Sequence, residues 1–580
     1  MGKRSYVISI LLISAALITL LQSRALISPY IIAAIFALYC LGKNHNAAAV
    51  GKSRGFRIIT AVSFICAVFI TLANYSIWLH PRMPDVRSSL FVRTVKLSYI
   101  LIIMAGTFLS VYNILTFVSR NRDTILYTPP AEGRKRTWPF FVVPFAVILL
   151  VYMTVYFCCY YPGLLSPDSV DQVTQTFTKE YSNHQPFYHT LIIGMFLKLG
   201  LALFGEINAA VATYVVFQIC FMAAAFAFVI HNMARLRLPL WTAVAATAWY
   251  ALMPFHIMFS FTVWKDVFFG AFVTLLIIFF IRLERGIGNR ICSYIGFAVS
   301  GLIMCLIRSN GLFAYVFVLL GIVLLARQQK QLIFIMLATV VVSFVMKHSV
   351  LTALSVTAPD TVESLSIPLQ QIARVAADNG TFTSEDEQLL SQILDLPDLA
   401  DTYDPTISDP VKNMIRDFGN EDYLKENLGE YAKLYVRTFI HNPMSYVTAW
   451  VDSTCGYWNS GYNYWIWYWD VEYNKYGIAR TVMSEGMLRA VEEYQWLYYN
   501  NDIFMIFAAT GLFFWIVLLL TAICISAGNR TGIIACVPIL AIVLSLLVSS
   551  PVYAEFRYVY ALYCALPMLI AISLIKDKEA

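Results

Sequence analysis

The sequence predicts an all-α integral membrane protein with about 14 transmembrane helices, an outer amphipathic helix and a mostly helical external domain. Of the 580 residues, 59% are hydrophobic and only 13% are charged, whereas soluble domains contain about 25% charged residues. Apolar runs of about 17–24 residues, long enough to cross a bilayer core, recur along the chain. The lysines and arginines fall mainly in the short loops between these runs.

The first apolar run, residues 6–21, follows Lys3 and Arg4 and has the charge pattern of a signal peptide. No small-residue cleavage pattern follows it, and a second apolar run begins near Leu26. We therefore expect residues 6–21 to be retained as the first span.

The basic loops predict the orientation of the spans, because positively charged loops stay on the cytoplasmic side of a membrane. Only the loop with Arg82 and Arg93 departs from this rule. The pattern places both termini in the cytoplasm. The predicted spans are 6–21, 26–42, 57–79, 96–118, 138–159, 209–231, 239–260, 266–283, 291–307, 311–326, 331–348, 502–526, 532–549 and 557–575.

The apolar run from Phe187 to Phe204 is predicted to lie on the outer surface instead of crossing the membrane. If it crossed, Arg235 and Arg237 would fall on the outer side, and every later basic loop would be inverted. We therefore expect an amphipathic surface helix here, within one external loop of residues 160–208.

Residues 349–500 contain 22 acidic and 9 basic residues and are long enough for a core of their own. We call this segment the acidic domain and expect it to be external and mostly helical. The chain then divides into an N-terminal four-helix membrane extension (1–137), a membrane core (138–348), the acidic domain and a C-terminal three-helix membrane part (501–580).

Several charged residues lie at the predicted outer ends of spans, where the positive-inside bias does not account for the cations. They are Asp168, Asp171, Lys265, Asp266, Arg308, Glu555 and Arg557. Arginine and lysine are the usual partners of phosphate, so a phosphate bound at the outer surface would account for three cations there. The alternative is that the cations reach lipid headgroups or pair with nearby carboxylates.

The stretch from Ser166 to Gln175 predicts a short helix, with Ser166 or Asp168 as N-cap and Pro167 in the first turn. Helical spacing places four polar side chains on one face. They are Asp168, Asp171, Gln172 and Gln175. Asp168 is a candidate general base, and the alternative is a plain capping role. For Asp171, three roles stay open: a second acid, a metal ligand, or a charge that stabilises the first turn.

Two further features have alternative interpretations. His184, in Asn183-His-Gln-Pro186, is a candidate for orienting a substrate hydroxyl, or else a structural residue. Residues 446–470 are rich in Trp and Tyr. This segment is either an aromatic belt at the membrane interface or a platform for sugar rings.

Several motifs together resemble an uncharacterised family of bacterial multi-spanning proteins that looks like a branch of the GT-C superfamily of polytopic glycosyltransferases. They are Pro162-Gly-Leu-Leu-Ser-Pro-Asp-Ser169, Asn183-His-Gln-Pro186, Trp264-Lys-Asp266, Arg308-Ser-Asn-Gly311 and Ile367-Pro-Leu-Gln-Gln-Ile-Ala-Arg374. The resemblance covers residues 138–575. It implies a GT-C-like fold in which the first external loop holds the catalytic Asp168 and the loop after the third core span holds a second acidic residue, Asp266.

The resemblance implies an inverting membrane glycosyltransferase on the outer face of the bacterial plasma membrane. The donor would be a polyprenyl-phosphate sugar, and the acceptor a cell-surface glycan, a glycolipid or a protein. Asp168 is the expected catalytic base. The substrate-binding candidates are Asp171, Gln172, Gln175, His184, Lys265, Asp266, Arg308, Glu555 and Arg557. No glycine-rich nucleotide motif occurs and no nucleic acid partner is expected. No cofactor is predicted with certainty, and a divalent cation stays an open alternative.

Three other classes of protein stay open. A polysaccharide polymerase or ligase of another polytopic fold would also have a large external loop. A transporter or flippase of lipid-linked glycans would carry charges or broken helices near the middle of the membrane. A membrane scaffold would bind a partner through the acidic domain. Convergence of Asp168, Arg308 and Arg557 on one cavity would favour transfer chemistry, and their scatter would favour a scaffold.

Overall fold

The computed structural model describes residues 3–22, 28–45, 54–79, 89–126, 137–459 and 464–575. Within these ranges the chain is helical, and its extended segments form only isolated β-bridges. The predicted all-α class is therefore confirmed.

Five helices form the N-terminal region and pack mainly against one another. They are α1 (Lys3–Leu20), α2 (Ser28–His45), α3 (Arg54–Ala73), α4 (Tyr75–Leu79) and α5 (Ser89–Ile125). Phe69 of α3 joins this region to the rest of the protein, because its ring packs edge-on against Trp458 at 5.2 Å and Trp515 at 6.0 Å between centroids.

The central region contains ten helices. They are α6 (Pro139–Cys159), α7 (Pro167–Thr178), α8 (Phe187–Phe204), α9 (Ile207–Arg235), α10 (Leu240–Leu252), α11 (Pro254–Phe261), α12 (Lys265–Arg285), α13 (Arg290–Ile307), α14 (Ser309–Leu325) and α15 (Lys330–Val345). A π-helical turn, Met346–Val350, continues α15 towards the acidic domain.

The remaining helices fall into two groups, those of the acidic domain and those of the C-terminal region. The former are α16 (Leu351–Ala353), α17 (Ser366–Ala377), α18 (Ser384–Leu390), α19 (Leu396–Thr402), α20 (Asp409–Asp417), α21 (Glu421–Glu426), α22 (Leu428–His441), α23 (Pro443–Thr454) and α24 (Glu485–Asn500). The latter are α25 (Asp502–Met505), α26 (Thr510–Ala527), α27 (Arg530–Val548) and α28 (Tyr560–Leu574).

Eleven helices among the described residues are long and apolar enough to cross a membrane, and a bent pair makes a twelfth candidate. These features are those of a multi-pass membrane protein. The count is below the 14 predicted spans, partly because Arg4–Leu20 and Ser309–Leu325 are shorter than a full span. The α8 helix is among the eleven by length and composition alone.

The predicted span 239–260 is broken into α10 and α11, which meet at an angle of 55°. The break falls at Pro254, which lacks a backbone N–H and cannot continue the hydrogen-bond ladder of α10. All eight residues of α11 are buried. The chain therefore enters the start of α12 from inside the bundle.

Helices α9 and α12 run parallel and define two ends of the bundle. Phe221 packs on Phe272 at 5.1 Å between ring centroids, and Phe228 packs on Phe279 at 5.6 Å. A residue further along α9 contacts a residue equally further along α12, so the two helices point in the same direction. Their N-terminal ends therefore lie on the same side. We call this side the site end.

Both ends of α8 lie at the site end. Just before α8, the Gln185 side chain accepts a hydrogen bond from Lys265 Nζ, at the start of α12. Near the other end of α8, Gly200 packs so closely on the first turn of α9 that an added Cβ would lie 2.4 Å from Ala210 Cα. A helix that crossed the bundle would have one end at the opposite side, so this packing supports a non-crossing α8.

The acidic domain has a separate core that is smaller than the predicted segment. Its buried apolar residues run from Val362 to Leu434. Later residues, among them Tyr457, Trp458 and Trp467, belong to the main core of the membrane helices. The second half of the acidic domain is therefore packed onto the bundle, and only the first half has its own core.

We predict that Asn183 and Gly205 are accessible from one side of the membrane and Arg235 from the other. The physical reason is that both ends of α8 lie at the site end, whereas α9 runs on to the opposite end. Single cysteines at these positions, in a background without native cysteines, are labelled with a membrane-impermeant maleimide. A cysteine at Arg285 serves as a control for the Arg235 side. Labelling of Asn183 and Gly205 from opposite sides would contradict this topology.

Candidate active site

The loop of residues 160–166 is held in place by backbone hydrogen bonds on two sides. The carbonyl of Leu164 accepts from the N–H of Val263 at 2.9 Å, just before α12. The carbonyl of Leu165 accepts from the N–H of Glu472 at 2.8 Å, in the acidic domain. Residues distant in sequence therefore determine where α7 begins.

Ser166 is the N-cap of α7, and Pro167 occupies the first helical position. The N–H of Ser166 donates to Ser169 Oγ at 3.2 Å, and Trp264 Nε1 donates to Ser166 Oγ at 2.7 Å. Since Ser166 takes the N-cap position, the carboxylate of Asp168 is not needed there. Asp168 is therefore not the N-cap of α7 in the structure.

The carboxylate of Asp168 binds Arg557, which precedes α28. Arg557 Nη1 lies 2.7 Å from Asp168 Oδ2, and Arg557 Nε lies 3.4 Å from a carboxylate oxygen of Glu555. The Arg557 guanidinium also lies 5.3 Å from the centre of the Trp264 ring and 5.4 Å from that of Tyr558. Two carboxylates and two aromatic rings thus hold this guanidinium in one position.

A second ion pair also contacts Tyr558. Arg308 Nη1 binds Oδ1 of Asp266, whose side chain is fully buried. The Arg308 guanidinium lies 4.8 Å from the centre of the Tyr558 ring and 5.6 Å from that of Phe269. Arg308 and Arg557 therefore contact the same aromatic ring, and the expected convergence of these two cations is seen in the structure.

Lys265 completes the set of cations. Its Nζ donates to Gln185 Oε1 at 2.6 Å. Lys265 begins α12 and Ser309 begins α14, so two helix N-termini meet beside the Asp266–Arg308 pair. The partial positive charge of helix N-termini adds to that of the side chains and favours a bound anion.

The two carboxyl groups nearest Arg557 differ in acidity. Burial tends to raise the pKa of Asp168, but Arg557 and Lys265 lower it to about 2. Burial raises the pKa of Glu555 to about 7, since the repulsion from Asp266 and Asp168 adds to desolvation and outweighs the attraction of Arg557. Asp168 is therefore ionised at neutral pH, whereas Glu555 is close to half protonated.

A cavity of about 470 Å³ opens beside this cluster, within the usual size range of small-molecule sites. Its lining combines cationic, apolar and acidic side chains. The residues are His184, Pro186, Lys265, Arg308, Ser309, Asn310, Phe313, Glu363, Ser545, Leu546, Val548, Ser549, Pro551 and Tyr558. The arrangement can hold an anion at the cations and an apolar chain along α14 and α27.

The polar face of α7 is only partly directed to this site. Gln172 is buried and donates to Thr190 Oγ1 at 3.0 Å, which ties α7 to α8. Gln175 Nε2 donates to Asp171 Oδ2 at 2.9 Å. None of these three predicted site residues lines the cavity, whereas His184 does. Their contacts are those of residues that hold the helix in place.

Some residues of the site were not singled out in the sequence. Tyr558 contacts both guanidinium groups, and Gln185 binds Lys265. Asn310 lines the cavity, and its side-chain oxygen is buried without a hydrogen-bond partner. Gln185 and Asn310 lie within motifs quoted above, and Tyr558 directly follows Arg557, so these positions are the signals that would have identified them. Glu363, by contrast, lies in no motif.

The aromatic segment 446–470 is split between packing and the site. Trp458 and Trp467 are fully buried in the main core. Trp465 packs edge-on against Trp264 at 6.4 Å, and Tyr468 lies 6.5 Å from the same ring. These two partly exposed rings therefore contact Trp264, the ring that also contacts Arg557. The Tyr462 position falls outside the described residues.

The described residues do not supply the ligand set of a metal ion, since no group of three or more His, Cys, Asp or Glu side chains lies together. Asp168 is paired with Arg557, and Asp171 accepts from Gln175.

The sequence comparison gives one match. Residues 31–580 match the family described as a family of unknown function, DUF6020. No curated protein and no solved structure matches the chain.

We predict that the affinity of the cavity for a monoanionic phosphodiester increases as pH falls through about 7. With Glu555 ionised, the three carboxylates and the three cations of the cluster sum to zero charge. Protonation of Glu555 leaves a net charge of +1, which favours an anion on the order of tenfold. The measurement is the binding of a short isoprenyl phosphodiester between pH 6 and 8, in an H184Q background that removes the imidazole.

Glu555→Gln should remove this pH dependence and give tight binding at pH 8 as well. Glu493→Gln, an exposed carboxylate on α24, is the matched control and should leave the dependence unchanged. An unchanged pH dependence in E555Q would contradict the prediction.

Proposed function

We propose that this chain, which belongs to the DUF6020 family of unknown function, is a GT-C-type membrane glycosyltransferase. It transfers a sugar from a polyprenyl-phosphate donor to a cell-surface glycan, glycolipid or protein on the outer face of the plasma membrane. The observation that carries the proposal is a cavity lined by Lys265, Arg308 and apolar residues of two helices. The ion pair of Asp168 and Arg557 does not line this cavity but adjoins it, because the Arg557 guanidinium contacts the ring of the lining residue Tyr558.

The cations support a phosphate-bearing substrate. Lys265 and Arg308 line the cavity, and Arg557 does not line it but contacts the ring of Tyr558, which does. Arginine binds phosphate through a planar fork and lysine through a point charge. Because Arg308 and Arg557 are fixed by ring contacts and Lys265 by its hydrogen bond to Gln185, these cations would stabilise the developing negative charge of a phosphate leaving group without reorganising.

The wall of the cavity supports a lipid chain on that phosphate. Phe313 of α14 and Val548 of α27 line the cavity, and their side chains are 39% and 66% exposed. Both helices have the length or composition of membrane segments. A polyprenyl chain would leave the cavity along these side chains and remain in the bilayer.

In the proposed reaction, an acceptor hydroxyl attacks the anomeric carbon of the donor sugar. The new carbon–oxygen bond forms as the bond to the phosphate oxygen breaks, and the hydroxyl proton passes to Asp168. The polyprenyl phosphate leaves with its charge stabilised by Arg308, Lys265 and Arg557. A single displacement of this kind inverts the anomeric configuration.

The ion pair between Asp168 and Arg557 would couple the binding of the donor phosphate to the removal of the acceptor proton. A carboxylate with a pKa near 2 is a weak base. When a phosphate engages Arg557, the stabilisation of ionised Asp168 decreases and its pKa rises towards the ordinary value. Donor binding would thus make Asp168 a stronger base at the moment when a base is needed.

The break between α10 and α11 favours a second candidate, a transporter of lipid-linked glycans, because broken helices are common at transport sites. The peptide after α11 is hydrogen-bonded to the loop that precedes α7. Transport would move the intact lipid-linked glycan without breaking the bond between sugar and phosphate. Analysis of products from reconstituted protein separates the two functions.

We predict that Asp168→Asn abolishes transfer while the protein still folds and inserts, since an amide cannot accept the proton and Ser166 keeps the N-cap. The measurement is release of polyprenyl phosphate, with analysis of lipid-linked and cell-wall glycans by mass spectrometry. Activity at half the wild-type rate or more would exclude Asp168 as the base.

We predict that Arg308→Ala lowers the rate of transfer about a hundredfold, because one donor to the leaving phosphate is lost. Arg308→Lys should restore only part of the rate, since an ammonium lacks the planar fork. Arg489→Ala, on the exposed face of α24, is the control. The residue Arg82, an ordinary surface charge by its sequence, lies outside the described residues. Equal losses in R308A and R489A would contradict a phosphate role for Arg308.

A further inference from the structure

One acidic side chain lines a cavity that otherwise attracts anions. Glu363 is the one cavity residue that comes from the separately packed part of the acidic domain. It faces the same space as Lys265, Arg308 and His184. A carboxylate weakens the binding of a phosphate, so its presence indicates a ligand with a second, non-anionic part.

Two cations of the acidic domain hold the Glu363 carboxylate in place. Lys412 Nζ lies 2.9 Å from Glu363 Oε2, and Arg416 Nη2 binds Oε1. The Lys412 side chain is only 2% exposed, and its ammonium also binds Asp409 at 2.7 Å. Burial tends to raise the pKa of Glu363, but Lys412 and Arg416 lower it below the ordinary value. Glu363 therefore remains an acceptor at neutral pH.

The backbone that carries Glu363 is fixed as well. Glu363 lies in a single 3-10 turn, Thr361–Leu365. Glu421 Oε1 accepts from the N–H of Thr361 at 2.7 Å and from that of Val362 at 3.2 Å. A carboxylate whose turn and side chain are both held is preorganised for binding, because little freedom is lost when a ligand arrives.

A carboxylate has about four lone-pair positions, and the two cations use only part of them. The Glu363 side chain is 27% exposed, so the remaining positions are open to a ligand in the cavity. Hydrogen bonds from hydroxyl groups to a carboxylate are charge-assisted and strong. Such a group suits a neutral polyhydroxyl part of a ligand whose phosphate lies at Lys265 and Arg308.

We infer that Glu363 binds the hydroxyl groups of the sugar on the lipid-linked donor and is the residue of the acidic domain that selects the transferred group. This inference rests on the proposed function. The membrane helices bind the phosphate and the lipid chain, and Glu363 of the acidic domain binds the sugar. A donor then spans all three environments of the cavity at once.

The test compares two kinds of probe with the same lipid and the same charge. One is a short isoprenyl methyl phosphodiester, which has no sugar. The other is a panel of isoprenyl phosphodiesters of glucose, galactose, mannose and N-acetylglucosamine. Binding to the full-length protein in nanodiscs is measured for wild type and Glu363→Gln. We expect wild type to bind at least one sugar probe more tightly than the methyl probe.

In E363Q that preference should fall by about tenfold or more, with no loss for the methyl probe. Asp409→Asn, which removes the other partner of Lys412, is the matched control and should keep the preference. Glu363→Asp, which retains the charge but withdraws it from the cavity, should show the same selective loss and covers the case in which E363Q does not fold.

The outcomes separate the two proposals. A preference that survives in E363Q and E363D, or equal losses for both kinds of probe, overturns the role of Glu363 and leaves the proposed function standing. Tight binding of the methyl probe with no preference for any sugar in wild type also overturns it. Failure of wild type to bind either kind of probe contradicts the phosphate site and the proposed function with it.

Discussion

The ion pair between Asp168 and Arg557 joins parts of the chain that are 389 residues apart. A charge in a largely apolar bundle is stable only when it is paired. The second pair, Asp266 with Arg308, contacts the same Tyr558 ring as the first. The positions of α7, α12, α14 and α28 at the site end follow from these mutual requirements.

The same requirement explains why the site lies at one end of the bundle and not within it. The carboxylates and cations come from residues at helix starts or just before them, where water and backbone N–H groups are still available. The loop before α7 is held to the segment before α12 on one side and to Glu472 on the other. The acidic domain therefore helps to build the site and does not merely lie above it.

The cavity collects one contribution from each region that surrounds it. The membrane helices supply cations and apolar side chains, while the acidic domain supplies a carboxylate tied to Lys412 and Arg416. The N-terminal helices contact the bundle elsewhere, through Phe69 and the Trp458 ring. This division is consistent with a catalytic unit that begins near residue 138 and an extension that supports it from the side.

The sequence by itself determined the helical class, the positions of the long apolar helices and the charged motifs, because hydropathy and isolated charges are local properties of the chain. Only the tertiary structure decided that Arg557 pairs with Asp168, that Ser166 is the N-cap, and that Gln172 and Gln175 hold α7 instead of lining the cavity. The contacts of Arg557 with Asp168 and of Gln172 with Thr190 depend on which distant residue is nearest, and spacing carries no record of that. The Ser166 cap and the contact of Gln175 with Asp171 are local, but spacing alone left open which of the possible roles each residue takes. The bend at Pro254 and the approach of Glu363 to the cations are likewise results of packing.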